Sequence, residues 1–95
     1  MTDDIVAGVL AERRREYWGT LERFDDAVTR VERIIAMTDR ALDHGDNETA
    51  GQLVDLLRQA QELAGARNDE AAIARAAVID ARLAVARGQA RGPDR

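Results

Sequence analysis

From Tyr17 to Leu42 the chain repeats one spacing, four residues and then three: Tyr17, Leu21, Phe24, Val28, Val31, Ile35, Thr38 and Leu42. A repeat averaging about 3.5 residues keeps these side chains on one stripe of an α-helix, and only Thr38 among them is polar. The stripe reads as a coiled-coil-like seam. Thr2 can cap the start of this helix, and Asp3 and Asp4 fall in the first turn, where the helix dipole favours carboxylates. No proline occurs before Pro93. One long first helix over about residues 3–43 follows. Read towards the N-terminus, the same register meets Arg14, Leu10 and Ala7, so the seam falters at Arg14, while Ile5, Val6 and Val9 lie to one side of it.

The run Asp43-His44-Gly45-Asp46-Asn47 should stop that helix, with Gly45 taking a left-handed conformation and Asp46 or Asn47 capping the next helix. A second helix is expected over about 48–64, with Leu53, Leu57, Ala60 and Ala64 on its seam and Val54, Leu56 and Leu63 widening it. Gly65 to Asn68 reads as a further break, capped by Asn68 or Asp69. A third helix then covers about 69–87, its inward face Ala72, Ala76, Ile79, Leu83 and Ala86, flanked by Ile73. Gly88, Gly92 and Pro93 leave residues 88–95 as a flexible tail. The expected fold is all-α: a single helical domain over 1–87, arranged as a helical hairpin or a three-helix bundle.

Length argues for more than a single copy, unless a break at Gly8 or Gly19 lets one chain fold back on itself. The first helix would extend about 60 Å, whereas helices two and three come to about 25–30 Å each. Either they fold against half of the first helix and leave residues 3–19 projecting, or they lie end to end along it as a hairpin with an uncovered apolar face. Both arrangements call for self-association, as a dimer in the simplest case, or for another protein. Composition points the same way. The 45% hydrophobic content includes eighteen alanines, and only Tyr17, Trp18 and Phe24 are aromatic. A domain of this size buries only about 60–65% of its unfolded surface even when well packed.

Much chemistry is excluded. The chain has no cysteine, which removes disulfides, thiolate nucleophiles and zinc-thiolate or iron–sulfur sites. All fourteen basic residues are arginine, which removes Schiff-base chemistry and a P-loop lysine. That bias reads as the mark of a GC-rich genome. With no apolar run longer than four residues and no signal-peptide pattern, a soluble, cytoplasmic chain is expected, without membrane contact. The net charge of −4 opposes nucleic-acid binding. His44, the one histidine, has Asp39, Asp43, Asp46 and Glu48 for neighbours, but no second histidine, Glu-x-x-His pair or calcium-loop spacing accompanies it. No metal or cofactor is expected there.

Two local clusters remain. Arg13, Arg14 and Arg15 lie between Glu12 and Glu16 and are candidate contacts for an anion or a partner carboxylate, with Arg14 on the seam. Tyr17 and Trp18 form the densest apolar knot, of the residue types that dominate interface energetics. The C-terminal arginines Arg75, Arg82, Arg87, Arg91 and Arg95 lack interleaved aromatics and read as dipole and solubility residues.

The segment Val9-Leu10-Ala11-Glu12-Arg13-Arg14 on a long first helix, followed by two shorter ones, is similar to the small all-helical chorismate mutases. That resemblance implies a dicarboxylate held by several arginines, a lysine and a Glu/Gln pair, and this chain has no lysine. Gly45-Asp46-Asn47-Glu48-Thr49-Ala50 looks like the turn of a tetratricopeptide unit, although no 34-residue period accompanies it. The residues themselves point to a non-catalytic interaction or assembly module that self-associates through Tyr17, Trp18, Leu21, Phe24, Val28, Val31, Ile35 and Leu42. The alternatives are a DNA-associated regulator using Arg13–Arg15, and a small all-α enzyme.

Overall fold

The computed structural model describes residues 2–91, and in it the chain is two long helices, α1 (Thr2–Asp43) and α2 (Asn47–Arg91), with no strand among the described residues. The helices run antiparallel in contact along their length, giving a rod 75 Å long and 14 by 13 Å across.

The turn is built from its own sequence. The Asp46 N–H donates to the Ala41 carbonyl at 2.8 Å and the Gly45 N–H to the Leu42 carbonyl at 3.0 Å, the paired bonds of a Schellman ending. Gly45 has φ +72°, a conformation that side chains with a Cβ resist. The His44 ring, through Nδ1–H, donates to the Arg40 carbonyl at 2.7 Å, which also accepts from the His44 N–H at 3.1 Å. Asp46 then starts α2. Its carbonyl accepts from Ala50 at 3.1 Å and its carboxylate accepts from the Thr49 N–H at 3.1 Å.

The expected break at Gly65–Asn68 does not form, and the expected second and third helices (48–64 and 69–87) are one helix, so there is no three-helix bundle. The reason is a seam that passes straight through the glycine and asparagine. Ala50, Leu53, Leu57, Ala60, Ala64, Arg67, Ala71, Ala74, Val78, Ala81 and Val85 alternate three and four residues apart, and all are buried or half-buried against α1. Mid-helix Gly65 costs only about 1 kcal/mol, which continuous packing on both sides outweighs. Arg67 and Glu70, at 3.0 Å, further tie the expected break into helix. Helix α2 also includes residues 88–91, expected as part of the tail; 92–95 lie outside the described residues.

The inward faces are rotated from those expected. On α1 the buried row is Thr20, Ala27, Ile34 and Thr38, with Tyr17, Phe24, Val31 and Ala41 half-buried beside it. On the C-terminal half of α2, Ala72, Ala76, Ile79, Leu83 and Ala86 face solvent, and Ala71, Ala74, Val78 and Ala81 face α1. The core centres on Ile34, Leu53 and Ala60. Thr20 and Thr38 enter it without cost in unmet hydrogen bonds, because their hydroxyls donate to the carbonyls of Tyr17 and Ile34 at 2.6 and 2.8 Å.

Substitutions at two positions test the turn. Gly45→Ala should lower unfolding stability by about 1 kcal/mol in a urea titration while leaving helicity at low denaturant unchanged. Asp46→Ala should destabilise, whereas Asp46→Asn should retain the cap. Hydrogen bonds from Thr49, its hydroxyl foremost and its N–H second, hold the Asp46 carboxyl below its ordinary 3.8. The charged cap's contribution is therefore complete above that pH and is lost as the pH falls through the lowered folded-state value. Asp46→Asn should flatten this part of the stability–pH curve.

Candidate interaction surface

Among the described residues the hydrophobic side chains classed as buried are mostly alanine, and none of the large side chains is fully enclosed. Twelve large apolar residues stay exposed. Each helix carries two rows that could have faced inward, and the smaller row does so on α1 and on the C-terminal half of α2. On α1 the row Thr20-Ala27-Ile34-Ala41 is inside, while its neighbour Leu21-Val28-Ile35-Leu42 lies along the edge of the hairpin. On the C-terminal half of α2 alanine and valine are inside, while Ile79 and Leu83 are outside; nearer the turn Leu53 and Leu57 are inside.

The accessible surface is 7308 Å² for 10.5 kDa. A compact monomer of that mass would expose about 5,400 Å². The excess follows from the thin, elongated shape.

The exposed apolar residues fall on two opposite sides. On one side Tyr17, Leu21 and Phe24 of α1 and Ala72, Ala76 and Ile79 of α2, together with Asn68 and Arg75, line an open groove of about 420 Å³. Seven-residue spacing continues that side along α1 through Val28, Ile35 and Leu42 without a charged interruption. Val54 of α2, also exposed, borders it near the turn. The opposite side holds Arg13, Arg15, Arg23, Glu70 and Ile73 around one shallow groove, and Arg23, Arg30, Leu63 and Arg67 around another. There charges divide the apolar surface. Arg23 Nε approaches Glu70 at 4.0 Å, joining the Arg67–Glu70 pair.

The sequence-derived site residues are distributed accordingly. Tyr17 and Phe24 are shared between the hairpin interior and the outer groove, Val31 packs against the core, and Leu21, Val28, Ile35 and Leu42 form the outer row. Trp18 stands beside that row, 65% exposed. The arginine triplet is divided. Arg13 pairs with Glu16 at 3.1 Å and borders the charged groove with Arg15, whereas Arg14 continues the Leu21 row towards the N-terminus. The triplet therefore does not converge on one ligand. No group of three His, Cys, Asp or Glu side chains gathers in metal-binding geometry among the described residues, and none of their helices is long and apolar enough to cross a membrane.

The contribution of α2 to this surface is invisible from its spacing alone. Ala72, Ile79 and Leu83 satisfy a four-three alternation as well as the buried row does, and only the size of the residues opposite distinguishes the two. Comparison with protein-family models, with curated proteins and with solved structures finds no match to this chain.

Ile34 and Ile35 provide a direct test of the two faces, being 7% and 42% exposed. Ile34→Asp places an unpaired carboxylate in the core and should cost at least about 3 kcal/mol, with helicity lost at every protein concentration. Ile35→Asp should leave the helical far-UV signal in place at low temperature.

Proposed function

We propose that this chain is a non-catalytic helical interaction or assembly module that self-associates through the side of the hairpin carrying Leu21, Val28, Ile35 and Leu42. The observation that carries the reading is the unbroken apolar row on α1, left at the edge while smaller residues fill the interior. Apolar rows of this length on a thin rod are stable in water when another surface covers them. The row from Tyr17 to Leu42 is about 38 Å long, and two helices are about 20 Å wide, so the face offers about 750 Å². A standard stable interface uses about 800 Å² from each partner. Further support comes from the scarcity of chemistry: Arg13–Arg15 diverge, and His44 is engaged in ending α1.

Sedimentation equilibrium at micromolar concentration tests the reading. The wild-type chain should sediment as a dimer and Ile35→Asp as a helical monomer; a wild-type monomer across the whole range would overturn it. Trp18, the only tryptophan, reports independently. Its emission should move to shorter wavelength as protein concentration rises, and should stay at the solvent-exposed position in Ile35→Asp.

A further inference from the structure

We infer that the partner on this face is a second copy related by a two-fold axis parallel to the rod, with α1 of each copy lying on α2 of the other and both turns at the same end. The inference rests on the self-association proposed above and adds its geometry.

Arg23 and Glu70 approach each other across the hairpin, and the buried or half-buried residues Ala41 and Ala50, Ile34 and Leu57, and Thr20 and Ala71 follow one another in the same antiparallel order. In such a pair Leu42 lies within about one helical turn of the height of Gly51, Ile35 of Arg58, Val28 of Gly65 and Leu21 of Ala72. All four α2 residues are exposed and share one row, of which Ala72 lines the apolar groove. The face thus carries a row of large branched residues on one helix and, near the same heights, the small residues Gly51, Gly65 and Ala72 with Arg58 between them on the other. A two-fold axis along the rod preserves height and exchanges the helices, so each large residue of one copy meets the matching position of the other.

The two glycines favour this occupant. A Cβ added at Gly51 or Gly65 would meet nothing within 4 Å, so the hairpin itself does not require them. Each weakens an exposed helix interior relative to alanine. A second chain that seats Leu42 over Gly51 and Val28 over Gly65 supplies the missing reason.

Charge selects the same axis. The outer edge of the α1 row carries Asp25, Glu32 and Asp39, whereas α2 carries Arg58 and Arg75 on this side. Stacking α1 on α1 would face acid with acid. Stacking α1 on α2 sets Arg58 between Glu32 and Asp39 of the other copy, and Arg75 near the height of its Trp18, where a guanidinium can lie over the indole ring. Within one chain Arg58 has only a loose contact, 3.8 Å to Asp55, both side chains well exposed.

The natural absence of cysteine allows a single spin label at Glu48→Cys, beside the turn. Turns at the same end of a four-helix assembly should give a label separation of about 30 Å or less. Turns at opposite ends would give about 40 Å or more, and that result would overturn this axis while leaving the dimer standing. Gly65→Leu supplies the second arm. It should preserve or raise helicity yet weaken the dimer roughly tenfold or more by filling the seat of Val28. Unchanged dimerisation of this variant would overturn the seating of α1 on α2. A wild-type monomer would instead remove the reading on which both arms rest.

Discussion

The structure depends on the close approach of two rows of small side chains. Alanine at Ala50, Ala60, Ala71, Ala74 and Ala81 of α2, facing Thr20, Ala27 and Ala41 among larger residues on α1, lets two backbones run side by side over most of the rod. Close packing of this kind yields many dispersion contacts but little apolar area per residue, since each buried methylene contributes only about 0.8 kcal/mol. Ile34, Leu53 and Leu57 share these rows and pack between the alanines. Other large residues sit at the edges, where Leu21, Val28, Ile35 and Leu42 form an apolar margin. Antiparallel pairing and the exposed face have one origin.

The turn converts this pairing into a fixed register. Gly45 and Asp46 end one helix and begin the next within three residues, which leaves little freedom to slide α1 along α2. The Arg23–Glu70–Arg67 cluster marks the same register farther along the rod, on the side opposite the apolar groove. These ion pairs are half-exposed and contribute modestly to stability. Their greater effect is to break up the apolar surface on that side, whereas on the other the α1 row from Leu21 to Leu42 carries no charge. Register and face together bring Gly51 and Gly65 near the level of Leu42 and Val28.

Some of this was legible from the residues and some was not. The ends of α1 and the start of α2 could be read directly, because Gly45 and Asp46 have local conformational and hydrogen-bonding roles that do not depend on distant contacts. The break expected at Gly65–Asn68 relied on the same local chemistry and was overruled by a non-local effect, a packed row running through it. Inward faces were harder still. Positions 17, 24, 31 and 38 belong equally to a row completed by 20, 27, 34 and 41 and to one completed by 21, 28, 35 and 42, and the larger second set is the more conspicuous in the sequence. Which set turns inward depends on the residues arriving from the other helix. The surface read from α1 therefore contained both inner and outer members, Tyr17, Phe24 and Val31 among the half-buried and Ile35 and Leu42 among the exposed.

An interior dominated by alanine and an edge rich in leucine and isoleucine make the hairpin's stability a property of the assembly. The most direct measurement is the thermal unfolding midpoint, followed by circular dichroism at several protein concentrations spanning about 100-fold, since association stabilises the folded state by mass action. The account predicts a midpoint that rises by several degrees with concentration. A midpoint that stays constant across that range, with full helicity at the lowest concentration, would show that a single copy is sufficient and would contradict it.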